Sequence, residues 1–92
     1  MPDRDTVRRA LIAVLEHVQK SGNYPILTIT DTTRPLEDLE GFDSHMGIIA
    51  TSLLAAALGI PIPVDRNIFR AEGTTRKLTL KEVVDVVVKI AA

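Results

Sequence analysis

From Ser44 to Val64 the chain carries no Asp, Glu, Lys or Arg, and that run constrains everything around it. Gly41-Phe42-Asp43-Ser44-His45-Met46 opens it. Asp43 and Ser44 are both good helix caps, because a side-chain oxygen there can accept from N–H groups that the first turn leaves unpaired. Gly59-Ile60-Pro61 closes it, so the spacing predicts a central helix over Ser44–Leu58. Two apolar stripes run along this helix. Ile48, Thr51, Leu54, Ala55 and Leu58 form one, and Met46, Ile49, Leu53, Ala56 and Ala57 form the other. A helix apolar all round is normally buried all round, yet a small domain can hardly cover both faces. Either the second stripe is an exposed partner or ligand surface, or the long preceding connection covers it.

The chain has 92 residues, enough for one modest core and too few for two, so residues 1–92 form a single domain. Apolar residues make up 46% and charged residues 25%, a globular balance. The net charge of −1 and the sparse aromatics, Tyr24, Phe42 and Phe69, argue against a nucleic-acid binder. Absence of cysteine excludes disulfides and thiolate chemistry by the chain itself. His17 and His45 have no closely spaced ligand partners, so no metal site is expected. Pro61 keeps the apolar run's helical part below the roughly 20 residues that a bilayer needs. No membrane span is therefore expected. The charged Met1-Pro2-Asp3-Arg4-Asp5 lacks the apolar core of a secretory signal, and the expected compartment is the cytoplasm.

A first helix is predicted to start near Asp3, Asp5 or Thr6. Val7, Leu11, Val14, Leu15 and Val18 give it one apolar stripe, with His17 on the solvated side. Ser21-Gly22-Asn23 stops it, with Gly22 or Asn23 suited to the left-handed position. Tyr24 to Leu39 reads as an extended connection pinned by Ile26, Leu27 or Ile29. Pro35 to Leu39 can form one helical turn that tucks in Leu36 and Leu39. After Pro61-Ile62-Pro63-Val64, Asp65 can cap a short turn, Arg66 to Phe69. Arg70 to Lys77 reads as a mobile loop. From Arg66 to Lys81 lie five basic residues, Arg66, Arg70, Arg76, Lys77 and Lys81, beside Asp65 and Glu72, and a solvated loop is a safer reading than an anion site. Thr79-Leu80-Lys81-Glu82 is a capping box that opens the last helix. Leu80, Val83, Val84, Val87 and Ala91 share a face of that helix, and Asp85 and Lys89 form an i,i+4 pair.

Asp38-Leu39 followed by Gly41-Phe42-Asp43-Ser44, the spacing on to Ile62-Pro63, Phe69, and Leu78-Thr79-Leu80 together resemble the acyl carrier and peptidyl carrier family, the 4'-phosphopantetheine-binding proteins. The likeness covers most of the chain. It implies an all-α, small four-helix bundle: three longer helices plus one short helix holding Phe69, with a long first loop. It also implies that Ser44, beside Asp43, is the attachment point of 4'-phosphopantetheine, taken from coenzyme A by a phosphopantetheinyl transferase. Acyl or aminoacyl cargo would then ride as a thioester, exchanged with acyl-loading and acyl-accepting enzymes of specialised fatty-acid, lipid or secondary-metabolite biosynthesis. Such a carrier is not an enzyme. Ile48, Leu54, Leu58, Ile62 and Val83 are the expected lining of an acyl pocket.

Three departures from the family mark a divergent, specialised member, one of them a loop before the last helix that is longer than is typical. His45 stands where the family usually has Leu. Apolar residues, Met46 and Ile49 among them, replace the usual acids on the second long helix, and the acids lie upstream at Glu37, Asp38, Glu40 and Asp43. Met46, Ile49, Leu53 and Glu40 are therefore the expected partner-binding residues, on a monomer or, through the apolar face, a homodimer. The alternative from another class is an unmodified helical interaction module that docks through the same face.

Overall fold

A computed structural model describes residues 2–25, 28–63, 67–71, 73–74 and 76–91. Among the described residues four helices follow in order: α1 (Arg4–Ser21), α2 (Pro35–Asp38), α3 (Ser44–Leu58) and α4 (Leu80–Ala91). The fold is the expected small helical bundle, three longer helices and one short. Among the described residues there is no strand, only an isolated antiparallel bridge between Arg70 and Lys77.

Helix α1 is the centre, packed against both α3 and α4. Asp3 caps it by accepting from the Thr6 N–H at 2.8 Å. The predicted stripe of Val7, Leu11, Val14, Leu15 and Val18 is buried throughout. Asn23, with φ of 59°, takes the left-handed position after the helix, while Gly22 keeps a negative φ. Asn visits that region more readily than most residues because its short polar side chain can hydrogen-bond locally.

The long first connection is held by polar contacts as much as by apolar ones. Ile26 and Leu27, two of its expected anchors, lie outside the described residues; Ile29, the third, packs on the core. Thr33 and Asp31 give their carbonyls to the Leu80 and Lys81 N–H groups, at 2.7 and 3.1 Å. Arg8 Nε donates to Asp31 Oδ1 at 2.8 Å. The single helical turn expected after Pro35 is present as α2, with Pro35 at its start and Leu39 buried just beyond it. Buried Gln19 then donates from Nε2 to the Glu40 carbonyl at 2.8 Å, tying the connection to α1.

The same loop carbonyls explain how α4 begins. A helix leaves its first N–H groups unpaired. Here Leu80 and Lys81 donate to the loop, Glu82 donates to Thr79 Oγ1 at 3.3 Å, and Val83 donates to the Thr79 carbonyl at 2.9 Å. Glu82 Oε1 in turn accepts from the Thr79 N–H at 3.0 Å, which completes the capping box. That bond, together with Arg76 Nη1 at 2.9 Å from Oε2, holds the Glu82 carboxyl down at about 2 against its ordinary 4.5. A carboxylate depressed in the folded state stabilises fully above its unfolded pKa and loses that contribution as pH falls through the folded one. Thermal melts of the parent and Glu82→Ala should thus differ by about 1 kcal/mol at pH 6, a capping-sized effect reduced by partial exposure. The gap should close between pH 5 and about 2. A gap that stayed constant with pH would contradict this account.

Two expectations change, at Phe69 and at Asp85. Phe69 does not lie in a third, short helix: Ile68 and Phe69 form a turn, and the short helix of the bundle is α2. The proposed Asp65 cap lies outside the described residues. The stretch from Arg70 to Lys77 is tied back on itself, with the Ala71 N–H on the Arg76 carbonyl at 2.9 Å and the Leu78 N–H on the Phe69 carbonyl at 3.0 Å. Asp85 pairs with Arg4 of α1; the Lys89 partnership expected on α4 is not among the ion pairs of the described residues.

Ile62, Ile68, Phe69 and Leu78, all from the segment between α3 and α4, join the helices' buried side chains in one core.

Candidate functional site

Asp43 and Ser44 divide the work at the start of α3. Asp43 is the cap: its backbone is extended, and Oδ1 accepts from the Met46 N–H at 3.0 Å. Its carbonyl accepts from Gly47 at 2.9 Å. Ser44 is the first helical residue and is exposed, so its hydroxyl is not spent on capping. The N–H groups of Ser44 and His45 have no acceptor among the described residues. Open donors at the positive end of the helix dipole favour negative charge beside Ser44.

Aromatic packing holds this junction. Gly41 turns the chain with φ of 73°, in the region where glycine is least strained, and the Tyr24 ring occupies the space a Cβ would need. Phe42 is thereby turned into the core, where its ring meets Phe69 edge to face, with centroids 5.1 Å apart at 76°. On the other side of Ser44, a Cβ added to Gly47 would lie 3.4 Å from the Phe69 ring. Helix α3 thus rests its backbone directly on Phe69. Residues two before and three after the serine close around one aromatic ring.

The residue after Phe69 completes the site. Arg70 Nη2 donates to Ser44 Oγ at 2.8 Å. In the sequence Arg70 was one cation among several on a polar loop. No local pattern marks its position, which depends on Phe69 being drawn to Phe42 and Gly47 from across the fold.

The expected pocket residues separate. Leu54, Ile62 and Val83 are buried and Leu58 is half-buried, all in the one core. Ile48 is not with them: it is 48% exposed and belongs to the outer face of α3. Gly47, Ala50, Thr51 and Leu54 form the inner face. The apolar pattern placed Ile48 inside because nearly every position of α3 is apolar, so hydrophobicity carries little phase information. Small residues were chosen for contact instead, which lets α3 approach Phe69 and α1 closely. Thr51 is accommodated by donating Oγ1 to the Gly47 carbonyl at 2.7 Å.

Of the expected partner-binding residues, Ile49 and Leu53 are exposed and share the outer face with Ile48. Met46 is half-buried at the edge of the core, and Glu40 is exposed in the link between α2 and α3. A charged cleft of about 250 Å³ lies elsewhere, lined by Arg4, Asp5, Arg8, Asp31, Lys81 and Val84. Its Arg4 and Arg8 are engaged with Asp85 and Asp31. Arg8 holds the Asp31 carboxyl below its usual range.

Among the described residues no helix is long and apolar enough to cross a membrane. Comparison with protein families, with characterised sequences and with solved structures finds no match to this chain.

Proposed function

We propose that this chain is a carrier protein that bears acyl or aminoacyl groups as thioesters on a 4'-phosphopantetheine arm joined to Ser44. The observation that carries the reading is an exposed hydroxyl at the positive end of α3, released from capping duty by Asp43. The resemblance around Gly41-Phe42-Asp43-Ser44 gives the arm its identity. In the attachment step Ser44 Oγ bonds to the phosphorus of coenzyme A that carries the pantetheine. The bond from that phosphorus to the bridging oxygen breaks, the adenosine bisphosphate leaves, and the hydroxyl proton passes to a base of the transferase. The arm supplies the thiol that this cysteine-free chain lacks. Open N–H groups at Ser44 and His45 suit the phosphodiester's charge. Partners are the transferase and the enzymes that load and accept the cargo, in specialised lipid or secondary-metabolite synthesis in the cytoplasm.

Incubation with coenzyme A and a broad-specificity phosphopantetheinyl transferase is expected to add the mass of one arm to the parent and none to Ser44→Ala. An unchanged parent mass would refute the carrier reading. The exposure of Ile48, Ile49 and Leu53 favours a second reading, an unmodified helical module docking through the outer face of α3. That reading predicts no mass gain, and loss of docking on substitution of these three.

A further inference from the structure

Arg70 reaches Ser44 across 26 positions of sequence, and its place is set by the core. The preceding Phe69 is fully buried between Phe42 and the bare backbone of Gly47. On its other side, Arg70 is bridged to Lys77, with bonds from Ala71 to Arg76 and from Leu78 to Phe69. The backbone of Arg70 is therefore clamped on both sides, and its guanidinium is delivered to one hydroxyl. That bond joins a permanent cation to a neutral acceptor, a weaker match for a guanidinium than an anionic oxygen would be. A phosphate on Oγ would put its phosphorus one bond and its anionic oxygens two bonds beyond the atom that Arg70 already reaches, where the same planar fork can pair with them. Such charge-assisted bonds are shorter and stronger than bonds to a neutral oxygen.

We infer that Arg70 is a positioning residue for a phosphate carried on Ser44 Oγ, pairing with its oxygens and holding the root of the attached group against the start of α3. This rests on the reading of Ser44 as an attachment site and adds a residue outside the motif that marked it. The pairing orients the base of the arm toward the side of α3 where Arg70 lies. It also offsets the charge that modification adds.

Phosphoserine installed at position 44 during translation tests the pairing with no transferase involved. The full-length parent, Arg70→Gln and Arg70→Lys are each titrated by phosphorus NMR. The second ionisation of a phosphoserine ordinarily falls near pH 6, and a neighbouring cation lowers it by favouring the dianion. The midpoint in the parent should lie about half a pH unit or more below that of Arg70→Gln, with Arg70→Lys recovering part of the difference. Salt should narrow the gap by screening. A residue that merely braced the fold would change the melting temperature and leave the midpoint where it was. A midpoint in the parent no lower than in Arg70→Gln overturns the inference. Transfer from coenzyme A is scored separately by mass, so failure of the carrier reading and failure of the role of Arg70 give different results.

Discussion

Replacing Phe69 by Ala is expected to lower the unfolding free energy by about 3–5 kcal/mol, the usual cost of emptying a large buried aromatic site. Phe69 is fully buried and meets Phe42 edge to face, a pairing that adds to the value of its buried area. The surroundings can collapse only partly. Gly47 has no side chain to fill the space, and Phe42 is held by the turn at Gly41. Domains of this kind are stable by only about 5–15 kcal/mol, so urea unfolding should show a midpoint moved far toward zero denaturant. Phe69→Leu keeps most of the volume and should retain most of the stability. The loss should also be felt at Ser44, since Arg70 is delivered there by Phe69. A loss below about 1 kcal/mol would show that this ring does not organise the junction.

The second large effect is a contrast between neighbours on α3. Leu54→Ala should cost about 2–5 kcal/mol, whereas Leu53→Ala should stay within about 0.5 kcal/mol. The two side chains are chemically identical and adjacent, yet Leu54 is completely buried and Leu53 is 38% exposed. The same denaturation experiment reads both. Equal costs would mean that something covers the outer face, and a reversed order would mean that α3 is rotated about its axis.

That contrast marks where sequence patterning loses its grip. Helix α1 sets Arg8, Arg9, Glu16 and Lys20 against an apolar stripe, so the residues from Val7 to Val18 at helical spacing identify its inner face. Helix α4 was legible too: Thr79 and Glu82 announced its start, and of its expected face Leu80, Val83, Val84 and Val87 are buried while Ala91 is half-buried. The bounds of α3 were readable as well, through Asp43 at one end and Gly59 at the other. Its rotation was not. With apolar residues on every side, the pattern cannot say which are inside, and Ile48 was assigned to the wrong face. The choice belongs to Gly47 and Ala50, whose lack of bulk allows close approach.

The candidate site divides in the same way. Sequence singled out Ser44 and Asp43 but left open which of them caps the helix. Geometry gave that task to Asp43 and freed the serine. Arg70 was invisible as a site residue, because its role depends on contact between segments far apart in the chain. The salt link of Asp85 was misassigned for a related reason. Spacing along one helix favoured Lys89, but α1 brings Arg4 to the same carboxylate.

The order of the three long helices, the ends of α1 and α3, the start of α4, the apolar stripes of α1 and α4, and the serine at the mouth of α3 were written in the chain, because capping and periodicity act over a few residues. Which side of α3 turns inward, and which cation meets Ser44, were decided only by packing. Both depend on how distant surfaces fit around Phe69, and such a fit has no local signature to read.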